Sequence, residues 1–127
     1  MPLYNMNKGI DNMITVRQAY GQYIYKIENG DVREYFGSYL FKIGPGYVKR
    51  YFGGYLYSFD SKTIKDYYGP AILEFDGRTI RKAYGPPIAE WKNNEFWQAY
   101  GSKMYEVQGT PTKDELMALI AILFANR

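Results

Sequence analysis

A sixteen-residue repeat constrains this chain more than anything else in it. Glycines stand at Gly21, Gly37, Gly53, Gly69, Gly85 and Gly101, each sixteen residues after the last. An aromatic precedes every one: Tyr20, Phe36, Phe52, Tyr68, Tyr84 and Tyr100. Five places before each glycine stands Val16, Val32, Val48, Ile64, Ile80 or Phe96, and three places after stands Ile24, Leu40, Leu56, Ile72, Ile88 or Met104. Six copies in register without an insertion mark an array of small supersecondary units.

Sixteen residues hold two strands of about six and two turns of two. The first turn opens on the repeated glycine, which suits the positive-φ first position of a type II′ hairpin. Pro87 removes a donor close to one such turn, and the last two glycine turns are expected to be wider than two residues. The second turn is Asn29-Gly30, Pro45-Gly46, Ser61-Lys62, Gly77-Arg78 or Asn93-Asn94, and Asn-Gly is a strong type I′ signal. Strand alternation then puts the Val16, Tyr20, Tyr23, Tyr25 and Ile27 columns on one face and the Arg17, Ala19, Ile24 and Lys26 columns on the other. Expected cross-strand pairs are Val16 with Ile27, Val48 with Phe59, Ile80 with Trp91 and Tyr20 with Tyr23, each contributing about 0.2–1 kcal/mol. The apolar face carries one polar column, Gln18, Glu34, Arg50, Asp66, Lys82 and Gln98, whose four central members alternate in sign.

The predicted fold is all-β with a C-terminal α-helix: an antiparallel meander of about twelve strands in an open or curled sheet. The organisation is an N-terminal segment (1–14), the hairpin array (15–109) and a helical segment (110–127), within a single domain's length of 127 residues. The tail "TPTKDELMALIAILFANR" starts with a T-x-x-E capping box, Thr112 and Glu115, followed by strong helix formers. Its apolar residues wrap most of the circumference, so it is buried on more than one side. A helix of this length spans roughly 21 Å, whereas twelve flat strands span roughly 57 Å. A helix laid on a flat sheet therefore leaves an apolar strip bare, and bare strips attract partners. Leu116, Leu119, Ile120 and Leu123 are the expected interface residues, as a lid on the sheet or a contact between copies.

The chemistry excludes much. The chain has no cysteine and no histidine, hence no disulfide, no thiol nucleophile and no imidazole base or ligand. No catalytic motif or P-loop is visible, so no enzymatic activity and no cofactor are predicted. Glu74, Glu90 and Glu106 share one column, the ordinary pattern of a solvated strand face. The start has no signal-peptide pattern, and the longest apolar run is about half a membrane span, so a cytoplasmic location is expected. Two columns are candidate binding sites. Tyr20, Tyr23, Phe36, Tyr39, Phe52 and Tyr55 form an aromatic ladder suited to stacking on sugars or holding peptides. Arg17, Arg33 and Lys49 head a basic column, with Tyr35, Tyr51 and Tyr67 as platforms for an anion or RNA. A net charge of +3 is mild for a nucleic-acid binder.

Residues 15–109, with the pattern [VI]-[RK]-x-x-[YF]-G-x-x-[IL]-x-x-[IFW]-[DEN], resemble tandem hairpin arrays of the MORN and choline-binding repeat types. The resemblance implies an elongated sheet and binding or scaffolding rather than catalysis, and it transfers no site residues. The expected function is a non-enzymatic scaffold or protein-association module that also self-associates. The alternatives are a carbohydrate or cell-wall binding module using the tyrosines, and an anion or RNA binder using the basic column.

Overall fold

The computed structural model describes residues 13–125. Most of the segment assigned to residues 1–14 and the last two residues of the chain lie outside the described residues. Twelve strands follow one another: β1 (Ile14–Gln18), β2 (Tyr23–Glu28), β3 (Asp31–Glu34), β4 (Tyr39–Gly44), β5 (Tyr47–Arg50), β6 (Tyr55–Phe59), β7 (Thr63–Asp66), β8 (Ala71–Phe75), β9 (Thr79–Lys82), β10 (Pro87–Lys92), β11 (Glu95–Gln98) and β12 (Lys103–Gln108). Helix α1 (Lys113–Phe124) comes last. Every strand pairs antiparallel with its sequence neighbours, as the meander requires.

The open or curled sheet is corrected by one further pairing: β1 also pairs with β12, and the sheet is a closed barrel. The register of this seam is Thr15 opposite Gln108, Val16 opposite Val107, Arg17 opposite Glu106 and Gln18 opposite Tyr105. Thr15 Oγ1 donates to Gln108 Oε1 at 2.9 Å, and Arg17 Nε lies 3.3 Å from Glu106 Oε1. The elongated sheet implied by the repeat-family resemblance is therefore not the geometry of this chain.

Helix α1 explains the closure. Met117, Ala118, Leu119, Ile120 and Ala121 are fully buried, with Leu123 and Phe124 nearly so, in one cluster with Ile14, Val16, Ile27, Val32, Val48, Ile64, Ile80 and Phe96. The helix fills the lumen and is not a lid on a flat face. Leu119, Ile120 and Leu123, expected at an interface, face the barrel wall and are closed to a partner, and Leu116 packs against the same core. Twelve strands at about 4.8 Å spacing enclose a ring of radius roughly 9 Å before tilt, which suits a helix about 10–12 Å across. The heights also match, since a twelve-residue helix rises roughly 18 Å and strands of four to six residues extend roughly 13–20 Å. Closure removes the bare apolar strip because one central helix meets the whole inner face.

The capping box is present: Thr112 Oγ1 accepts from the Glu115 amide at 3.1 Å, and the Thr112 amide donates to Glu115 Oε1 at 2.8 Å. The chain enters the lumen at Gly109, whose φ of 95° and whose missing Cβ (it would lie 2.6 Å from the Met13 carbonyl) both require glycine. Asn94 Nδ2 holds the Gly109 carbonyl at 2.7 Å. Helix α1 therefore starts at the Asn-Gly end of the barrel. It finishes at the Tyr-Gly end, where the Phe124 ring meets Phe96 and Tyr105 at 5.5 and 6.2 Å.

The turns at the Asn-Gly end follow the expected chemistry. Asn29 and Gly30 have φ of 53° and 82°, and Asn93 and Asn94 of 54° and 59°, as a type I′ pair requires. Asp60 and Asp76 build two other turns by side-chain capture. Asp60 Oδ1 accepts from the Lys62 and Thr63 amides at 2.8 Å, and Asp76 Oδ1 from Arg78 and Thr79 at 2.9 and 2.7 Å.

Leu119→Ala lowers stability by about 2–5 kcal/mol through the cavity it leaves. Ala118→Leu lowers it by about 1–3 kcal/mol through overpacking. Urea unfolding of both variants checks these values. The amides of the following residues hold the Asp60 and Asp76 carboxyls below their ordinary value of 3.8. A pKa lowered in the folded state adds stability above the unfolded value, and that stability is lost as pH falls through the lowered one. Asp60→Ala/Asp76→Ala therefore melts lower than the wild type at pH 6 and shows a shallower fall as the pH drops below the ordinary carboxyl value of 3.8, read by thermal melts across pH.

Candidate functional site

The six aromatic-glycine reversals share one hydrogen-bond pattern, and it is not that of the predicted type II′ turn. In each, the glycine amide donates to the carbonyl three residues back, and the amide of that earlier residue donates to the carbonyl after the glycine. Gly21 N to Gln18 O and Gln18 N to Gln22 O, both 2.9 Å, are the first example. The loops are three residues wide throughout, including those at Gly85 and Gly101. None of the six glycines has a left-handed φ, whereas Tyr20, Tyr84 and Tyr100 do, at 60°, 61° and 60°. The glycines are needed for space. A Cβ on Gly101 would lie 2.9 Å from the Gln98 Cβ and 2.6 Å from its Oε1, and the other five meet the equivalent Cβ at 3.2–3.3 Å.

Each of these hairpins also carries a register shift, and the shift re-sorts the faces. Val16 lies opposite Tyr25 and Arg17 opposite Tyr23, leaving Ile24 as the extra residue of a bulge. The predicted pairs Val16–Ile27, Val48–Phe59 and Ile80–Trp91 are replaced by Val16–Tyr25, Val48–Tyr57 and Ile80–Ala89. Ile24, Leu56, Ile72, Ile88 and Met104 consequently pack against the core and not among the charges. The bulge carbonyls are caught by the next hairpin, from Tyr35 N to Ile24 O at 3.0 Å round to Ala19 N to Met104 O at 2.9 Å across the seam. Pro87 is tolerated because it opens its strand just before the bulge.

The predicted ladder divides into two parts. Tyr23, Tyr39 and Tyr55 sit on the outer wall opposite Arg17, Arg33 and Lys49, not on the apolar face. Each stacks on a tyrosine of the next turn: Tyr23 on Tyr35, Tyr39 on Tyr51 and Tyr55 on Tyr67, with centroids 4.5–4.7 Å apart. Cations lie over the same rings, including Lys26 over Tyr35 at 5.1 Å and Arg33 over Tyr39 at 5.9 Å. Tyr20, Phe36 and Phe52 instead stand at the turn tips. There they are joined by Tyr68, Tyr84 and Tyr100, which complete a ring of six aromatics that are 85–95% exposed. The wall ladder fades after Tyr55, but the rim does not. Sequence reasoning left Tyr68, Tyr84 and Tyr100 out of the candidate set because the neighbouring Tyr23 column gives way to Ala71, Pro87 and Lys103, which confined the ladder to the first three repeats. The unbroken column was the signal that could have found them.

Inside this ring lies a second one. Gln18, Glu34, Arg50, Asp66, Lys82 and Gln98 stand directly opposite the core residues Tyr105, Tyr25, Phe41, Tyr57, Leu73 and Ala89. Opposed residues share a face, so these six polar side chains line the barrel mouth, where all are exposed. They do not pair along the sheet: among the described residues no ion pair joins Glu34, Arg50, Asp66 and Lys82. Between the first two hairpins the mouth opens into a cleft of about 590 Å³ lined by Gln18, Tyr23, Glu34, Tyr35 and Phe36, with Leu40 and the helix residues Ile122 and Leu123.

The basic column is engaged within the protein. Arg17 faces Glu106, Lys49 Nζ donates to the Arg50 carbonyl at 2.9 Å, and neighbouring Lys42 bridges Asp31 at 2.6 Å. Of the column Glu74, Glu90 and Glu106, Glu106 holds Lys103 at 2.8 Å and Glu90 holds Lys92 at 3.5 Å. Among the described residues no cluster of three acidic side chains is gathered as metal ligands, and no helix is long and apolar enough to cross a membrane. Comparison with family models, curated proteins and solved structures finds no match to this chain.

Phe36, Phe52 and Tyr68 meet the wall tyrosines Tyr35, Tyr51 and Tyr67 edge-on, and Lys103 lies over Tyr20, whereas Tyr84 and Tyr100 have neither kind of contact among the described residues. A bulky residue in left-handed backbone is strained by about 1–2 kcal/mol, and among the described residues the Tyr84 ring touches neither another ring nor a cation. Tyr84→Asn therefore raises stability by about 0.5–1 kcal/mol, measured by urea unfolding. A loss of stability would mean that the ring serves the fold.

Proposed function

We propose that this protein is a non-enzymatic association module that docks on other proteins through its Tyr-Gly rim. The single observation that carries this is the ring of six aromatics, each at least 85% exposed, on a barrel whose core is complete without them. Tyrosine and phenylalanine supply large contact area at low entropy cost and are enriched at the centres of protein interfaces. Three of the six hold strained backbone while exposed, which is the pattern of a position kept for something outside the fold. The closed barrel sets the turn tips in order around one ring, so the backbone that carries the aromatics needs little rearrangement on binding.

A second reading has its own support: the cleft at the first two hairpins. Its volume lies within the range of small-ligand sites. The stacked Tyr23–Tyr35 pair beside Gln18 and Glu34 offers the ring faces and acceptors that a sugar uses. The basic column has weaker support as an anion or RNA groove because its heads already have partners.

Two arms test these readings. In the first, Tyr84→Ser/Tyr100→Ser, the two rim aromatics with no ring or cation contact among the described residues, melts within a few degrees of the wild type. On a protein array this variant loses the associations that the wild type makes; unchanged associations would overturn the docking reading. In the second, Tyr23→Ala/Tyr35→Ala abolishes any glycan-array signal and leaves protein association intact.

A further inference from the structure

The polar ring at the barrel mouth carries a pattern that the fold does not use. Read round the barrel in order, it is Gln18, Glu34, Arg50, Asp66, Lys82, Gln98. Read in reverse, it is Gln, Lys, Asp, Arg, Glu, Gln. Every charge is matched by its opposite and each end glutamine by the other. The strand order places the six hairpins in sequence around a closed ring, so this reversal corresponds to a physical operation. A two-fold axis across the barrel axis, passing between the Arg50 and Asp66 hairpins and through the β1–β12 seam, turns the ring onto its own reverse.

From this we infer that the partner of the rim is a second copy of this chain, docked mouth to mouth about that two-fold axis. The inference rests on the association reading above and names its partner. In this dimer Glu34 meets Lys82 of the second copy, Arg50 meets its Asp66, and Gln18 meets its Gln98. Each heterologous pair occurs twice by symmetry. The outer annulus pairs in the same register: Tyr20 with Tyr100, Phe36 with Tyr84 and Phe52 with Tyr68 of the second copy. Other rotations that bring the two mouths together produce fewer matches. Shifting the axis by one hairpin leaves Lys82 or Arg50 facing a glutamine, and only the stated axis satisfies all six positions.

The surface is suited to the task. The four charged members are exposed, and among the described residues none of them forms an ion pair. Glu34 accepts from the Ser38 amide of its own turn, at 3.3 Å. Six aromatic residues at roughly 150–250 Å² each bring the rim to about 1,000 Å² per copy, against about 800 Å² per partner in a standard interface. Complementary charges then set the register, and like charges in a wrong register oppose it.

The test is sedimentation velocity of the full chain over a concentration series at low and high salt. The wild type sediments as a monomer of 14.8 kDa in equilibrium with a dimer of twice that mass, and salt weakens the dimer. Glu34→Lys places like charges at two symmetry-related sites and raises the dissociation constant roughly tenfold or more. Adding Lys82→Glu restores opposite charges at both sites and returns the constant to within about threefold of wild type. Adding Arg50→Glu, the neighbour within the same chain, does not restore it. Thermal melts of all variants stay together because every site is exposed. A wild type that remains monomeric throughout, or rescue by Arg50→Glu equal to that by Lys82→Glu, overturns the inference. If the wild type is monomeric and the serine variant still loses its associations with other proteins, the second-copy inference falls and the association reading stands.

Discussion

The structure depends on the fit between one apolar helix and the inner wall of a twelve-stranded ring. Neither part can bury its surface alone. The wall is too long and too one-sided to stay flat in water, and the helix is apolar around nearly its whole circumference. Once the helix lies along the axis, Ile14, Val16, Val48, Ile80 and Phe96, scattered across the sheet, share one core. The seam, the turns and the rim all take their positions from that packing. Apolar side chains point inward and charged ones outward, the reverse of a membrane barrel's lipid-facing wall.

Much of this was legible in the sequence, and the limit was physical. The sixteen-residue spacing gives twelve antiparallel strands because hairpin geometry is local: two strands and two turns per unit. Thr112 and Glu115 announce the helix for the same reason. Closure was not legible because the β1–β12 pairing joins residues as far apart as Thr15 and Gln108, 93 positions from one another, and no local pattern reports it. Comparing the helix with a flat sheet gave a shortfall in cover; in a ring the same lengths agree.

The candidate site was partly legible, and the bulges account for the difference. One extra residue per hairpin, Ile24 in the first, reverses the alternation between Tyr23 and Val16 and moves the tyrosine ladder to the outside. The polar column stood out in sequence as an exception on an apolar face. In the barrel it is no exception, because Gln18 and its equivalents sit where the inner face meets solvent. The glycines were noticed for the right recurrence and explained by the wrong cause: they make room for the side chain three residues earlier, and in three of the six hairpins the strained torsion falls on the preceding tyrosine.

The position of the helix in the chain has a consequence for biosynthesis. Strands emerge from the ribosome before the segment that fills them, so the nascent polypeptide shows an unfilled apolar concavity for most of translation. Hairpins form one by one as they appear, each from contacts near in sequence. Completion waits until α1 has been made, because its side chains supply the centre of the core. A chain stopped before residue 113 lacks the apolar residues on which the twelve strands close.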